Sequence, residues 1–300
     1  MKVRTFAHIM KRPKPSGKPS QRSGGKSAPR SAGKPSGNRP PARRAKNIKE
    51  LKPKPETPKV DDGKIRLNKY LSNAGICSRR EADVLISTGV VSVNGEIITE
   101  MGYRVSPSDV VKYDGSTIRS EKTRYVLLNK PKGYITTMDD PQGRKTVMAL
   151  VKDACKERIY PVGRLDRQTS GLLLFTNDGD MAKKLTHPSH GLEKLYYVVL
   201  SATVKTRHLH QIRHGLELED GFIQADEVDY VGDGQDHRKI GIKIHSGRNR
   251  IVRRIFEHFG YEVVKLDRVM FAGLTKKDLP RGRYRHLTEQ EIAYLHMLGK

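Results

Sequence analysis

Residues 161–176 read Pro-Val-Gly-Arg-Leu-Asp-Arg-Gln-Thr-Ser-Gly-Leu-Leu-Leu-Phe-Thr. One carboxylate, Asp166, stands between Arg164 and Arg167. Polar turn residues and a glycine follow, and then an unbroken apolar run. Such a run bounded by turn signals reads as a buried strand. The turn ahead of it holds Asp166 at the rim of a core sheet, where packing has no use for an acid. A carboxylate fixed among guanidinium groups stays ionised and can act as a nucleophile. The same residues also suit a structural Asp–Arg pair in a loop, because ion-pair networks perturb acids too. Spacing alone leans towards that pair.

Outward from this segment, the composition points to an anionic partner. The 300 residues carry a formal net charge of +25. Phosphate neutralisation by Lys and Arg dominates nucleic-acid binding, which makes nucleic acid the first candidate. The first sixty residues hold 18 Lys or Arg against only Glu50 and Glu56, leaving +9 for the other 240. Rich in Lys, Arg, Pro, Ser and Gly, residues 1–62 cannot bury enough surface to offset chain entropy, and a disordered basic tail is expected. A one-sided charge of this kind suits an RNA tether better than a solvated tail without a role. No apolar run is long enough for a transmembrane helix, and the start lacks the apolar region of a secretory signal. Cys77 and Cys155 have neither CxxC spacing nor a nearby His cluster. A reduced cytoplasmic chain without disulfide or metal is the expectation.

Residues 63–118 read as a small module. Leu67, Tyr70, Leu71 and Ala74 recur at helical spacing, and Ser78 with Glu81 fits a capping box ahead of Ala82, Leu85 and Ile86. Asn94-Gly95 within 90–98 predicts a hairpin with a type I′ turn. A polar linker follows over 119–123. From 124 to 300 the pattern is strand-rich with intervening helices. Residues 124–137 read as a strand, a Lys-Pro-Lys-Gly turn and a second strand, and 146–151 as a short helix. Strands are expected at 194–204, 224–232 and 238–245. Helices are expected at 179–187 (capped by Asn177 or Asp178), 207–215, 249–260 and 288–298. The expected fold class is mixed α+β with a large, mainly antiparallel sheet.

The stretch 163–180, GRLDRQTSGLLLFTNDGD, resembles the signature of the RsuA-type pseudouridine synthases, which isomerise uridine in ribosomal RNA. Residues 246–269 resemble the family's C-terminal motif, and 187–200 the stretch with its active-site tyrosine. The likeness runs from about Lys64 to the C-terminus. It implies a pseudouridine synthase fold with a bent sheet and its cleft at Asp166. The two helices and hairpin of 63–118 resemble the S-four RNA-binding domain, with Arg66, Lys69, Arg79 and Arg80 as implied phosphate contacts. Taken singly, each of these four reads as a solvated surface charge.

Isomerising uridine breaks the N1–C1′ bond, turns the base and makes a C5–C1′ bond. No net redox change or hydrolysis occurs, so no cofactor is expected. One carboxylate is enough, whereas a classical glycoside hydrolase uses two. By resemblance, Asp166 is the nucleophile, acting either at C1′ or by removing a C2′ proton to form a glycal. Arg253 matches the basic residue that pairs with it and keeps it ionised. Tyr196 matches the tyrosine that stacks on uracil and serves in the late proton removal at C5. Tyr197 points to the opposite face of a strand and reads as a sheet-face aromatic. Arg164 is implied to fill the place of the flipped base or hold its phosphate. Leu165 and Val252 are implied walls of the uracil pocket. Arg248, Arg250 and Arg254 suit phosphate contacts. His187, His190, His208, His210 and His214 lack the arrangement of a metal site.

The expected partner is ribosomal RNA or a pre-ribosomal particle. The motifs look more like family members acting on large-subunit (23S) RNA. A monomer without membrane contact is the simplest expectation. Two other readings compete: a non-catalytic RNA-binding ribosome-assembly factor, and a DNA-binding regulator, which lacks any helix-turn-helix signal.

Overall fold

The computed structural model describes residues 63–232 and 235–298. The expected basic tail, 1–62, lies outside the described residues.

The first module packs two short helices on a small sheet. Helix α1 (Leu67–Asn73) buries Leu67 and Leu71. Helix α2 (Arg79–Ser87) starts with the expected capping box: the Glu81 amide donates to Ser78 Oγ, and the Ser78 amide to Glu81 Oε2. Strands β1 (Ile65–Arg66) and β4 (Arg104–Val105) pair beneath them. The order of the other sheet is β3 (Glu96–Ile97), β2 (Val91–Val93), β5 (Val111–Tyr113), β6 (Ser116–Thr117). Both turn residues between β2 and β3 have positive φ, 53° at Asn94 and 92° at Gly95, as a type I′ turn demands. Residues 118–124 form no strand or helix.

The second module is built on one large sheet. Its strands run in the order β13 (Glu227–Tyr230), β14 (Lys239–Ile244), β10 (Lys194–Leu200), β15 (Val263–Phe271), β9 (Thr169–Thr176), β7 (Tyr125–Lys130), β17 (Tyr284–His286). Short strands β8 (Tyr160–Pro161) and β16 (Leu274–Thr275) join β9 and β15. Strand β9 pairs parallel with β15; the other pairings along the sheet are antiparallel.

The apolar run 172–175 is explained by burial on both faces of the sheet. Leu173 and Phe175 pack on one side with Val126, Leu128, Ile255 and Phe256. Leu172 and Leu174 pack on the other with Leu127, Met181 and Leu295. Helices α4 (Thr206–His214) and α5 (Ile251–Glu257) cover the first side. Helices α3 (Gly179–Thr186) and α6 (Glu289–Met297) cover the second. Asp178 caps α3, accepting from the Asp180 and Met181 amides, and Thr288 with Glu291 forms the capping box of α6.

Three expectations are corrected. Residues 134–137 form no strand, only a bridge from Ile135 to Thr146, because the segment turns back to hold the Asp166 turn. The helix at 146–151 is a single 3₁₀ turn, Val147–Leu150. The helix expected over 249–260 spans Ile251–Glu257, and beside Val252, Ile255 and Phe256 it also buries Ile251 and Arg253. A hairpin of β11 (Leu216–Leu218) and β12 (Gly221–Ile223) joins α4 to β13. No described helix is long and apolar enough to cross a membrane.

Candidate active site

Strand β7 ends in a lysine that has no exposed surface. Lys130 lies under the turn that precedes β9, and its Nζ donates to the carbonyls of Asp166 (3.1 Å), Thr169 (2.8 Å) and Pro131 (3.2 Å). Burial pushes its ammonium down to about 8, against a smaller opposing pull from Asp166. The loop after β7 binds the same turn from outside. The Gly133 amide donates to Arg167 O at 2.8 Å, and Thr136 Oγ1 donates to Leu165 O at 2.8 Å. The Asp166 backbone is therefore fixed from below and from the side while its carboxylate stays 38% exposed.

That carboxylate opens into a cleft of about 1110 Å³, lined among others by Arg164, Leu165, Tyr196, Arg248, Arg250 and Val252. Leu165 and Val252 are buried walls, and Arg164 stands exposed at the rim. Arg250 is exposed, has a left-handed φ of 47° at the start of α5, and reaches Glu257 at 3.2 Å.

Arg253 comes from the buried face of α5. Its Nη1 donates to Val263 O at 3.1 Å, and its Nε lies 3.9 Å from Asp166 Oδ2. That is ion-pair distance but longer than a hydrogen bond. The Nε is buried and has no hydrogen-bond partner, a costly state that a small carboxylate shift would relieve. Burial and neighbouring Arg250 push the Arg253 guanidinium down, and Asp166 opposes them.

Tyr196 projects from β10 beside a β-bulge. Leu195 pairs with Met270, but Tyr196 pairs with Arg268, so one residue of β15 is skipped between them. Bulges next to active sites re-aim side chains in this way. Arg268 is itself buried, donating Nε to Leu172 O at 2.8 Å with its guanidinium 4.5 Å from the Phe271 ring centre. Tyr197 turns to the other face, under Lys265.

Arg253 and Arg254 do not line the cleft among the described residues. Arg254 is bound to Asp220 Oδ2 at 2.7 Å and to Asn249 O. Arg248 lines the cleft but spends its donors on the β11–β12 hairpin, at Asp220, Gly221 and Phe222. In the first module, Arg66, Arg79 and Arg80 are exposed, and Arg79 donates to Asn68 at 3.4 Å. Lys69 is paired with Asp180 of α3 at 2.7 Å. Lys69 and Arg79 line a separate hollow of about 580 Å³ with Arg158 and Lys183. His208 bonds Tyr261 and stacks on Phe259, and His187 bonds Ser189. Among the described residues no group of three His, Cys, Asp or Glu is placed to hold a metal ion.

Sequence reasoning missed Lys130, Thr136 and Arg268. The Lys-Pro-Lys-Gly run reads as an exposed turn, and no periodicity marks its first lysine as buried.

The chain matches the family model "RNA pseudouridylate synthase" over residues 124–258 and the S4 domain model over 65–111. It is 40% identical over 233 residues to an uncharacterized RNA pseudouridine synthase of Aquifex aeolicus, covering 77% of this chain and 93% of that protein. It is 41% identical to "Ribosomal large subunit pseudouridine synthase B" of Bacillus subtilis, covering 78% and 96%. A solved pseudouridylate synthase superposes with a TM-score of 0.55 at 28% identity, covering 77% of this chain and 99% of that one.

Proposed function

The chain belongs to the RNA pseudouridine synthase family, with an S4 domain ahead of the synthase fold, and from that premise we propose that it converts a uridine of large-subunit ribosomal RNA to pseudouridine with Asp166 as the nucleophile. The observation that carries the assignment is the Asp166 carboxylate itself. Its backbone is tied down by Lys130 and that of Leu165 just before it by Thr136, its side chain is open to the cleft, and a buried guanidinium nitrogen without a hydrogen bond stands 3.9 Å away. A fixed anion facing a cavity large enough for a flipped nucleotide meets the geometric need of attack on ribose.

In this mechanism the target uridine leaves its stack and enters between Leu165 and Val252. Arg253 keeps Asp166 ionised and aims it. The carboxylate acts on the ribose, the N1–C1′ bond breaks, and the uracil turns within the pocket until C5 faces C1′. Tyr196 stacks on the base and takes part in removing the C5 proton once the C–C bond has formed. Arg164 and Arg250 hold flanking phosphates at the rim, whereas Arg248 and Arg254 serve mainly through the hairpin they grip. The S4 module and the basic N-terminal residues supply affinity for a large folded RNA. The large-subunit assignment draws on the B. subtilis relative's name. We assign the chain to the cytoplasm, where its two cysteines stay free.

Mapping pseudouridines by carbodiimide labelling and primer extension tests this. In cells lacking the gene, one 23S position loses its signal. Wild type restores it, and Asp166→Ala does not. If no position changes, or if Asp166→Ala restores every defect, the protein acts by binding, as an assembly factor.

A further inference from the structure

Phe222 is out of place among the described phenylalanines. Phe175, Phe256 and Phe271 are buried and Phe259 is half-buried, yet Phe222 is 59% exposed. A single exposed hydrophobic residue normally needs no explanation. This one lines the cleft that holds Asp166. Its strand β12 alternates: Ile223 is buried in the core and Phe222 faces outward.

The backbone that carries the ring is held firmly. Arg248 donates to the carbonyls of Asp220 (3.0 Å), Gly221 (3.0 Å) and Phe222, and Arg254 binds the Asp220 carboxylate at 2.7 Å. Both arginines belong to the segment that also supplies Val252 and Arg253, so the hairpin is locked to the catalytic helix. The tip of the ring rests over Gly215, whose φ is +110° and where any Cβ would collide with the ring. The ring thus has a fixed backbone and a support at its tip, and more than half of the residue is exposed. Around it the rim is cationic, with Arg250 and Arg164 exposed.

A rigid, solvated aromatic ring beside basic side chains is the arrangement by which proteins stack unpaired bases without reading their sequence. We propose that Phe222 is a stacking platform for a nucleobase next to the target uridine, holding the substrate strand open while the target base occupies the pocket. This inference rests on the RNA substrate of the proposed function. It makes Phe222 a positioning residue: it binds the neighbour, so the flipped state is favoured before chemistry starts.

The test uses the full chain and a large-subunit RNA fragment containing the mapped uridine. Filter binding and single-turnover rates are measured for wild type, Phe222→Ala, Phe222→Leu and Phe222→Trp. Each is measured on the intact RNA and on RNAs made abasic at each nucleotide flanking the target. Base–aromatic stacking predicts a Kd raised about 5- to 150-fold for Ala and Leu. Trp binds and turns over like wild type, whereas Ala and Leu also lower the single-turnover rate at saturation, because less of their bound RNA holds the target base flipped. At one flanking position the abasic RNA weakens wild type by the same factor and does not weaken Phe222→Ala further. The inference is overturned if Leu binds as well as Trp, or if the abasic and Ala losses multiply at every flanking position. Wild type without turnover on any large-subunit RNA would overturn the proposed function instead, while the binding arms still decide the role of Phe222.

Discussion

Lys130 carries an amine into a place with no exposed surface, where it donates to the carbonyls of Asp166, Thr169 and Pro131. Replacing it with Met removes those three hydrogen bonds and leaves the Asp166 carbonyl only the Thr169 amide, which costs about 1–3 kcal/mol. A resulting shift of the carboxylate by about 1 Å lowers single-turnover rates about a hundredfold. Urea unfolding and single-turnover assays check the two effects separately. The pH dependence has a definite sign. The folded-state value, about 8, lies below the unfolded value of 10.5. Between these the unfolded chain holds a proton that the folded chain has lost, so stability rises with pH over this window. Wild type gains stability from pH 8 to 10 relative to Lys130→Met; a parallel pH profile for the two would refute this. Asp166, Tyr196 and Arg253 were legible in the sequence as candidates because a motif marks them. Lys130 and Phe222 were not, because a lysine beside Pro and Gly reads as surface, and a phenylalanine in a short apolar run reads as core.

At the level of elements, the decisive contact is the parallel pairing of β9 with β15. Gly171 faces Arg268 across it with φ +112°, and a Cβ there would collide with the Arg268 backbone. Gly171→Ala therefore separates the two central strands and destabilises the protein by about 3 kcal/mol or more. Thermal unfolding with a fall in soluble yield is the readout, and an unchanged midpoint would refute it. The apolar run of β9 announced this strand, and the capping boxes at Ser78 and Thr288 announced α2 and α6. Strand β15 was not announced. Lys265, Asp267 and Arg268 interrupt its apolar pattern, and nothing local says that Asp267 is buried because Lys276 and Arg281 meet it at 2.6 and 3.0 Å. The bulge that aims Tyr196 is equally silent, since it depends on a partner strand distant in sequence.

For the whole molecule, charge governs association. Each phosphate neutralised on a single strand adds about −0.7 to the slope of log K against log salt. Deleting residues 1–62, with their excess of Lys and Arg, makes that slope shallower and weakens binding at physiological salt. The turnover rate at saturating RNA stays the same. Filter binding from 50 to 400 mM salt gives the slope, and an unaltered slope would show that these residues do not touch RNA. The sheet topology adds a consequence in time. Thr169 pairs with Leu266, and Tyr196 and Arg253 also follow Asp166 in the chain. Translation therefore releases the carboxylate long before its partners, and non-local pairing of this kind closes late. An unfinished chain lacks the strand that completes the sheet beside Asp166, so the cleft is assembled only after synthesis has passed β15.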